Sequence, residues 1–246
     1  MAGMSSIVEL RKVSFSAQDR VLVRNLSFRF EEGQAVALVG PSGGGKSTVL
    51  KLAAGICIPS EGEVLFRGVA VGGMSRQENL AFRREAAFVF QDAALWANQT
   101  LFQILELPLR VHFPDMAADE RQKKIESVVD RVGYRRELGI RPSGLSMGEQ
   151  KLIAFARALM CDPRLLFLDE WTESLDEKSA QRLIGIVRGM KGEGATVLFV
   201  SHDPRIIRGM ADAVLLVSQG QISFRLTGEQ ISDDEDLERL IELGAA

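Results

Sequence analysis

Cysteine is nearly absent: Cys57 and Cys161 are the two in 246 residues, far apart and without metal-ligand spacing. They give no disulfide framework and fit a reducing compartment, and small buried residues are the plain reading of both. No run of Lys and Arg occurs, and the formal net charge is −3. That balance argues against a nucleic-acid footprint, so no nucleic-acid partner is expected. Nowhere does the chain approach the about 18 consecutive apolar residues of a spanning helix. The opening MAGMSSIVELRK also lacks an apolar segment long enough for a secretory signal. Any membrane role must come through a partner. Repeats and low-complexity tracts are missing as well.

What the chain does have is apolar content, 46%, ample for the core of one large domain or two small ones. IVELRKVSF (7–15) and NLSFRF (25–30) read as strands, with polar SAQDR between them as a turn. AVALV (35–39) is a continuous apolar run, as expected of a strand buried on both faces. STVLKLAAG predicts a helix ending at Gly55, and GEVLFRG and AAFVF predict further strands. From about Trp96 to Pro142 strand signals vanish, and Ile125, Val128, Val129 and Val132 recur at helical spacing. LLFLD (165–169), TVLFV (196–200) and AVLLV (213–217) then resume the strands, separated by helical stretches such as 177–190. Strands alternating with helices imply an α/β fold with a mainly parallel sheet. The acidic SDDEDLERLIELGAA at the end predicts a short helix with its carboxylates at the positive end.

Three local patterns carry chemistry. The first is GPSGGGKST: Gly40, Pro41, Ser42, Gly43, Gly44, Gly45, Lys46, Ser47 and Thr48, after a buried strand and opening a helix. In that context backbone N–H groups turn inward to cradle phosphates, Lys46 reaches the β- and γ-phosphates, and the Ser47 hydroxyl ligates Mg²⁺. The second is LLFLDE, an apolar strand ending in two carboxylates. Asp169 suits a Mg²⁺ ion that keeps much of its water, and Glu170 suits an attacking water. The third is LSMGEQ (145–150), where Ser146 and Glu149 have capping-box spacing ahead of an apolar stripe. Gly148 weakens that helix by roughly 0.5–1 kcal/mol relative to alanine. The loss makes sense where a phosphate must approach a helix N-terminus without a side chain in the way.

Taken in order, the phosphate loop, the lone Gln91 of VFQD, LSMGEQ, LLFLDE, SLD (174–176) and SHD (201–203) resemble ABC-type ATPase subunits from about residue 7 to about 225. The resemblance implies a P-loop NTPase core with N-terminal antiparallel strands and a helical subdomain insertion. It implies a single domain over 1–246: about 1–95 and 160–225 form the core, about 96–159 the helical subdomain, and about 226–246 a helical tail. It also implies ATP and Mg²⁺ as cofactors, with Ser47, Gln91 and Asp169 at the metal. Lys46, Glu170 and His202 would be catalytic, His202 touching the γ-phosphate. Gln91 would link the metal site to the helical subdomain. Ser146 and Gly148 would contact the γ-phosphate of nucleotide held by a second copy, with Asp176 at the seam. Two copies would then complete two sites. Read alone, His202 is an ordinary loop histidine, and Asp203-Pro204 beside it marks a helix start.

The chain departs from the family pattern at three places. Met147 and Glu149 replace a glycine and a glutamine of L-S-G-G-Q; Trp171 replaces the proline after the catalytic glutamate. Ala17 stands where an aromatic ring usually meets adenine. Phe15 is the alternative ring there, with a core role as its other reading. The stretch FQDAALWANQTLFQILELPLR is moreover similar to the ATPase subunit of Mla-type phospholipid transport systems, which work with MCE-domain proteins. The match is carried by ALW (94–96) and PLR (108–110). That likeness implies a peripheral protein on the cytoplasmic face of the inner membrane, held by a permease through residues near Trp96. Leu95, Trp96, Leu101, Phe102, Ile104 and Leu105 are either a docking groove for a helix of that permease or the core of the helical insertion. Other readings stay open: the same engine serving an amino acid, metal or lipoprotein, a soluble ATPase of iron–sulfur assembly, or a scaffold that does not hydrolyse.

Overall fold

The computed structural model describes residues 6–232, and its strands form two sheets. The larger runs β10-β9-β3-β8-β7-β6 and the smaller β2-β1-β4-β5. In the larger sheet β3 (Ala35–Val39), β6 (Ala86–Val89), β7 (Leu165–Asp169), β8 (Thr196–Val200) and β9 (Ala213–Ser218) are mutually parallel. Only β10 (Gln221–Thr227) runs the other way, paired with β9. The smaller sheet is antiparallel: β1 (Ser6–Ala17), β2 (Arg20–Glu31), β4 (Glu61–Phe66) and the two-residue β5 (Val69–Ala70).

The continuous apolar runs work by period-two alternation. On β3, Ala35, Ala37 and Val39 face one core while Val36 and Leu38 face another. Strands β7 and β8 divide the same way: Leu166, Leu168, Val197 and Phe199 on one side, Leu165, Phe167, Leu198 and Val200 on the other. One core lies between the sheets and holds the apolar side of α1 (Lys46–Ala53). The other is filled by helices, among them α3 (Leu101–His112), α4 (Ala118–Val132), α5 (Met147–Leu159) and α6 (Glu177–Gly192). Helix α2 (Arg76–Glu85), which begins at a Ser75–Glu78 capping box, has no counterpart in the sequence reading. Among the described residues no helix is long and apolar enough to cross a membrane.

Several expectations need correcting. SAQDR is not a loop: the turn is Gln18-Asp19 alone, both at positive φ (49° and 61°), and β1 and β2 extend to meet it. A two-residue turn of that hand matches strand twist, so pairing continues to its edge. The same geometry recurs at Gln219-Gly220, which turns β9 into the unexpected β10. That strand crosses the boundary set at 225/226, with Leu226 buried, before α8 (Glu229–Ser232) begins. The acidic helix expected at the end lies outside the described residues. Helices α3, α4 and α5 lie within residues 96–159. Of the six apolar groups read as groove or core, Leu101, Ile104 and Leu105 are fully buried and Leu95 and Phe102 pack against the core. Trp96 is exposed at 45%.

Candidate functional site

Strand β3 delivers the chain into the glycine loop, and α7 (Pro204–Met210) starts just past the tip of its neighbour β8. The glycines are demanded by backbone geometry. Gly40 sits at φ 143°, and a Cβ there would lie 2.0 Å from the Val217 carbonyl oxygen. Gly45, at φ 104°, precedes α1, and its Cβ would meet the Leu22 carbonyl at 2.8 Å. The loop is also hydrogen-bonded across its mouth, Gly44 N–H to Pro41 O and Gly220 N–H to Gly44 O, both at 3.0 Å.

Lys46 folds back into this loop, its Nζ donating to Gly40 O at 2.7 Å and Pro41 O at 3.0 Å. Burial lowers the affinity of its amine for a proton, and the nearby Glu170 and Asp169 carboxylates oppose that. At the tip of β7, Asp169 Oδ1 accepts from the Ser47 hydroxyl at 2.8 Å. Hydroxyl and carboxylate are hard oxygen donors, so the pair fits Mg²⁺ and suits no softer metal. Burial raises Asp169 above the usual carboxylate range.

Glu170 is the strained residue, at φ 43° just past the end of its strand. Its carboxyl is pushed up to about 7, first by burial and then by the neighbouring Glu173 and Asp169. Oε1 is buried without a hydrogen-bond partner, and His202 Nε2 stands 3.0 Å from it. Burial and Lys46 lower the His202 pKa, which favours the neutral imidazole. A buried, unpartnered carboxylate oxygen beside an imidazole is well suited to hold a water.

Gln91 does not reach these groups directly. Its amide donates to Glu173 Oε2 at 3.2 Å, and both line an open cleft of about 700 Å³ with Ser47, Asp169 and Met147. A larger groove of about 900 Å³, between Arg11, Phe28, Glu63 and Arg225, contains no residue of the phosphate loop. Asp176 caps α6, accepting from the Ser179 N–H at 2.9 Å. Ala17 is exposed at the end of the β1–β2 hairpin; Phe15 is half-buried against the core between the sheets, which is the core role. Trp96 lies over the Arg157 guanidinium, 5.5 Å from ring centroid to Cζ. Half-buried Arg157 in turn donates to the carbonyls of Ala93 and Ala94, two residues at positive φ.

Helix α5 begins with the expected capping box: Ser146 Oγ accepts from Glu149 N–H at 3.2 Å, and Glu149 Oε2 accepts from Ser146 N–H at 2.8 Å. Gly148 has a reason that the sequence did not reveal. A Cβ there would fall 2.8 Å from the Ser174 carbonyl oxygen of the same chain. Among the described residues, no hydrogen bond joins Ser146 to the phosphate loop.

Two residues went unnoticed in the sequence. Glu173 leaves no local signal, because only the turn after β7 brings it to Glu170 and Gln91. Lys151 does leave one: it lies four residues before Phe155 and eight before Leu159, on the buried face of α5. It is 1% exposed, and its Nζ donates to Glu170 O at 2.7 Å.

Comparison with known proteins identifies the family and the fold. The ABC transporter family pattern matches residues 23–173. An ABC transporter ATP-binding protein of Methanocaldococcus jannaschii, MJ1508, is 34% identical over 82% of this chain and 89% of its own. The methionine import ATP-binding protein MetN 2 of Burkholderia mallei is 33% identical over 81% of this chain, which spans only 50% of that relative. The intermembrane phospholipid transport ATP-binding protein MlaF of Haemophilus influenzae is 29% identical over 94% of this chain and 88% of its own. In three dimensions the dimeric ATP-binding cassette MJ0796, bound to ADP and Pi, superposes with a TM-score of 0.81 at 28% identity, covering 89% of this chain and 98% of that one. With the family pattern over more than half its length and relatives above 30% identity, the chain belongs to the ABC transporter family as an ATP-binding cassette that hydrolyses ATP.

Proposed function

We propose that two copies of this chain close around two ATP molecules, each site formed by one copy's phosphate loop and the other's Ser146–Gly148 helix tip. The observation that carries this reading is the division of the site within one chain. Lys46, Ser47, Asp169, Glu170 and His202 converge on one loop, while among the described residues the capped tip of α5 makes no hydrogen bond to it.

In the assembled site Lys46 leaves the Gly40 and Pro41 carbonyls for the β- and γ-phosphates, whose oxygens replace those acceptors. Mg²⁺ held by Ser47 and Asp169, and by Gln91 once freed from Glu173, would neutralise charge on the phosphates. Glu170 holds the attacking water with the oxygen that has no partner here. His202, neutral, donates toward the γ-phosphate, and the helix tip closes the cage with backbone N–H groups. Asp176 sits at the seam between copies. Hydrolysis removes the bridging γ-phosphate and releases the pair.

Glu170→Gln should slow phosphate release by about a hundredfold or more, to a residual rate, and leave a dimer on gel filtration with ATP. A monomer under those conditions would overturn the two-copy site.

The engine would drive phospholipid movement through a membrane permease, from the cytoplasmic face of the inner membrane, with an MCE-domain protein in the complex. The support is the ALW and PLR stretch together with MlaF, the relative matched over 94% of this chain. Methionine import is the second reading, favoured by the somewhat higher identity to MetN 2. Affinity capture from detergent-solubilised membranes separates the two. An MCE-domain protein beside the permease supports the lipid reading; a solute-binding protein in its place overturns it.

A further inference from the structure

Helix α5 touches the turn after β7 at three points on one face. Gly148 allows the Ser174 carbonyl to approach to a distance that any side chain would block. One turn later Lys151, almost wholly buried, spends its ammonium on a single neutral acceptor, the carbonyl of Glu170. One further turn on, Phe155 stacks against Trp171, the residue after Glu170, with centroids 5.6 Å apart and planes 24° from parallel. The Glu170 carbonyl, on a residue held at φ 43°, accepts from the Glu173 N–H within its own turn at 3.2 Å and, more closely, from Lys151 Nζ at 2.7 Å, so the lysine is the tie from this strained backbone to α5.

We infer that Lys151 is a positioning residue for ATP hydrolysis: by gripping the Glu170 carbonyl it holds that residue's left-handed backbone, and so aims its carboxylate at the water site. Trp171 and Phe155 complete the clamp. A proline at 171 could not supply that ring, so the lysine and the tryptophan form one device. Burying a lysine is costly unless the ammonium is hydrogen-bonded. Burial lowers its affinity for a proton, and the nearby carboxylates of Glu173, Asp169, Glu170 and Asp92 oppose that. The grip acts on the geometry of a residue that already has its substrate, so it belongs to kcat and not to ATP affinity.

The inference rests on Glu170 as the water-holding carboxylate, and the experiment tests the two separately. Steady-state hydrolysis by the purified full-length chain is measured for Lys151→Met, Lys151→Gln and Lys151→Arg, each alone and with Glu170→Gln. Expected are a fall in kcat of about tenfold or more for Met and Gln, an ATP KM within about twofold of wild type, and substantial recovery with Arg. In the Glu170→Gln background the Met change should cost less than about twofold further, because the carboxylate that it aims has gone. Wild-type kcat in either neutral variant would overturn the inference. So would Arg no better than Met, a rise in KM alone, or an equal loss in both backgrounds. If Glu170→Gln itself keeps wild-type hydrolysis, the assignment of Glu170 fails first. Should Met not fold, Gln carries the same comparison.

Discussion

Glu170 holds a carboxylate that the nucleotide-free protein would sooner keep protonated. With its pKa at about 7 against an ordinary 4.5, ionising it opposes folding. The sign follows from linkage: a carboxylate raised in the folded state favours folding below its unfolded pKa, and that contribution is lost as pH climbs through the folded value. Glu170→Gln removes the penalty, so the nucleotide-free variant should be more stable than wild type at pH 8, by up to about 3 kcal/mol. The difference should shrink toward zero at pH 4.5. Thermal melts at several pH values check this; a gap independent of pH would contradict it. At this scale the sequence was most legible where chemistry is local. Lys46, Ser47 and Asp169 were readable because a glycine loop after a buried strand has few other uses. Glu173 was not, since its role depends on the turn after β7, and for Lys151 only its place on the buried face of α5 was readable, not its partner on that turn.

Helix α5 shows how one element can satisfy two demands with the same residue. In an ordinary exposed helix, Gly→Ala gains roughly 0.5–1 kcal/mol. At position 148 the added Cβ would sit 2.8 Å from a backbone carbonyl, too close to accommodate without moving the turn that bears Ser174. Gly148→Ala should therefore lower the melting temperature of the nucleotide-free chain, where the phosphate-access argument alone predicts a small rise. A rise would show that the turn yields cheaply. Elements themselves were legible to the extent that periodicity marked them. The buried strands β3, β7, β8 and β9 announced themselves as continuous apolar runs. β10 did not, because QISFRLT buries only Leu226 among mostly exposed residues. The extension of β1 and β2 was hidden too. Gln18 and Asp19 adopt positive φ without the glycine that usually signals such a turn.

For the molecule as a whole, the question is where force leaves it. Trp96 is exposed, and Arg157 covers one face of its ring while holding the turn beneath it. An aromatic fixed in this way loses little freedom on docking, which suits an interface anchor. Trp96→Ala should leave melting temperature and isolated ATPase activity nearly unchanged, yet weaken co-purification with the permease by about tenfold or more. Undiminished co-purification would place the contact elsewhere. The sequence flagged six apolar groups here, and burial removed five from the exposed set. Composition and spacing alone do not distinguish the lining of a groove from the inside of a bundle.

The phosphate loop is shaped by segments far apart in the chain: it packs close against the carbonyls of Leu22 on β2 and Val217 on β9, and Gly44 O accepts from the Gly220 N–H of the last hairpin. A shortened polypeptide ending at Gly209 would retain every recognisable motif. It would nevertheless lose the wall against which those glycines are shaped, and with it the grip on nucleotide.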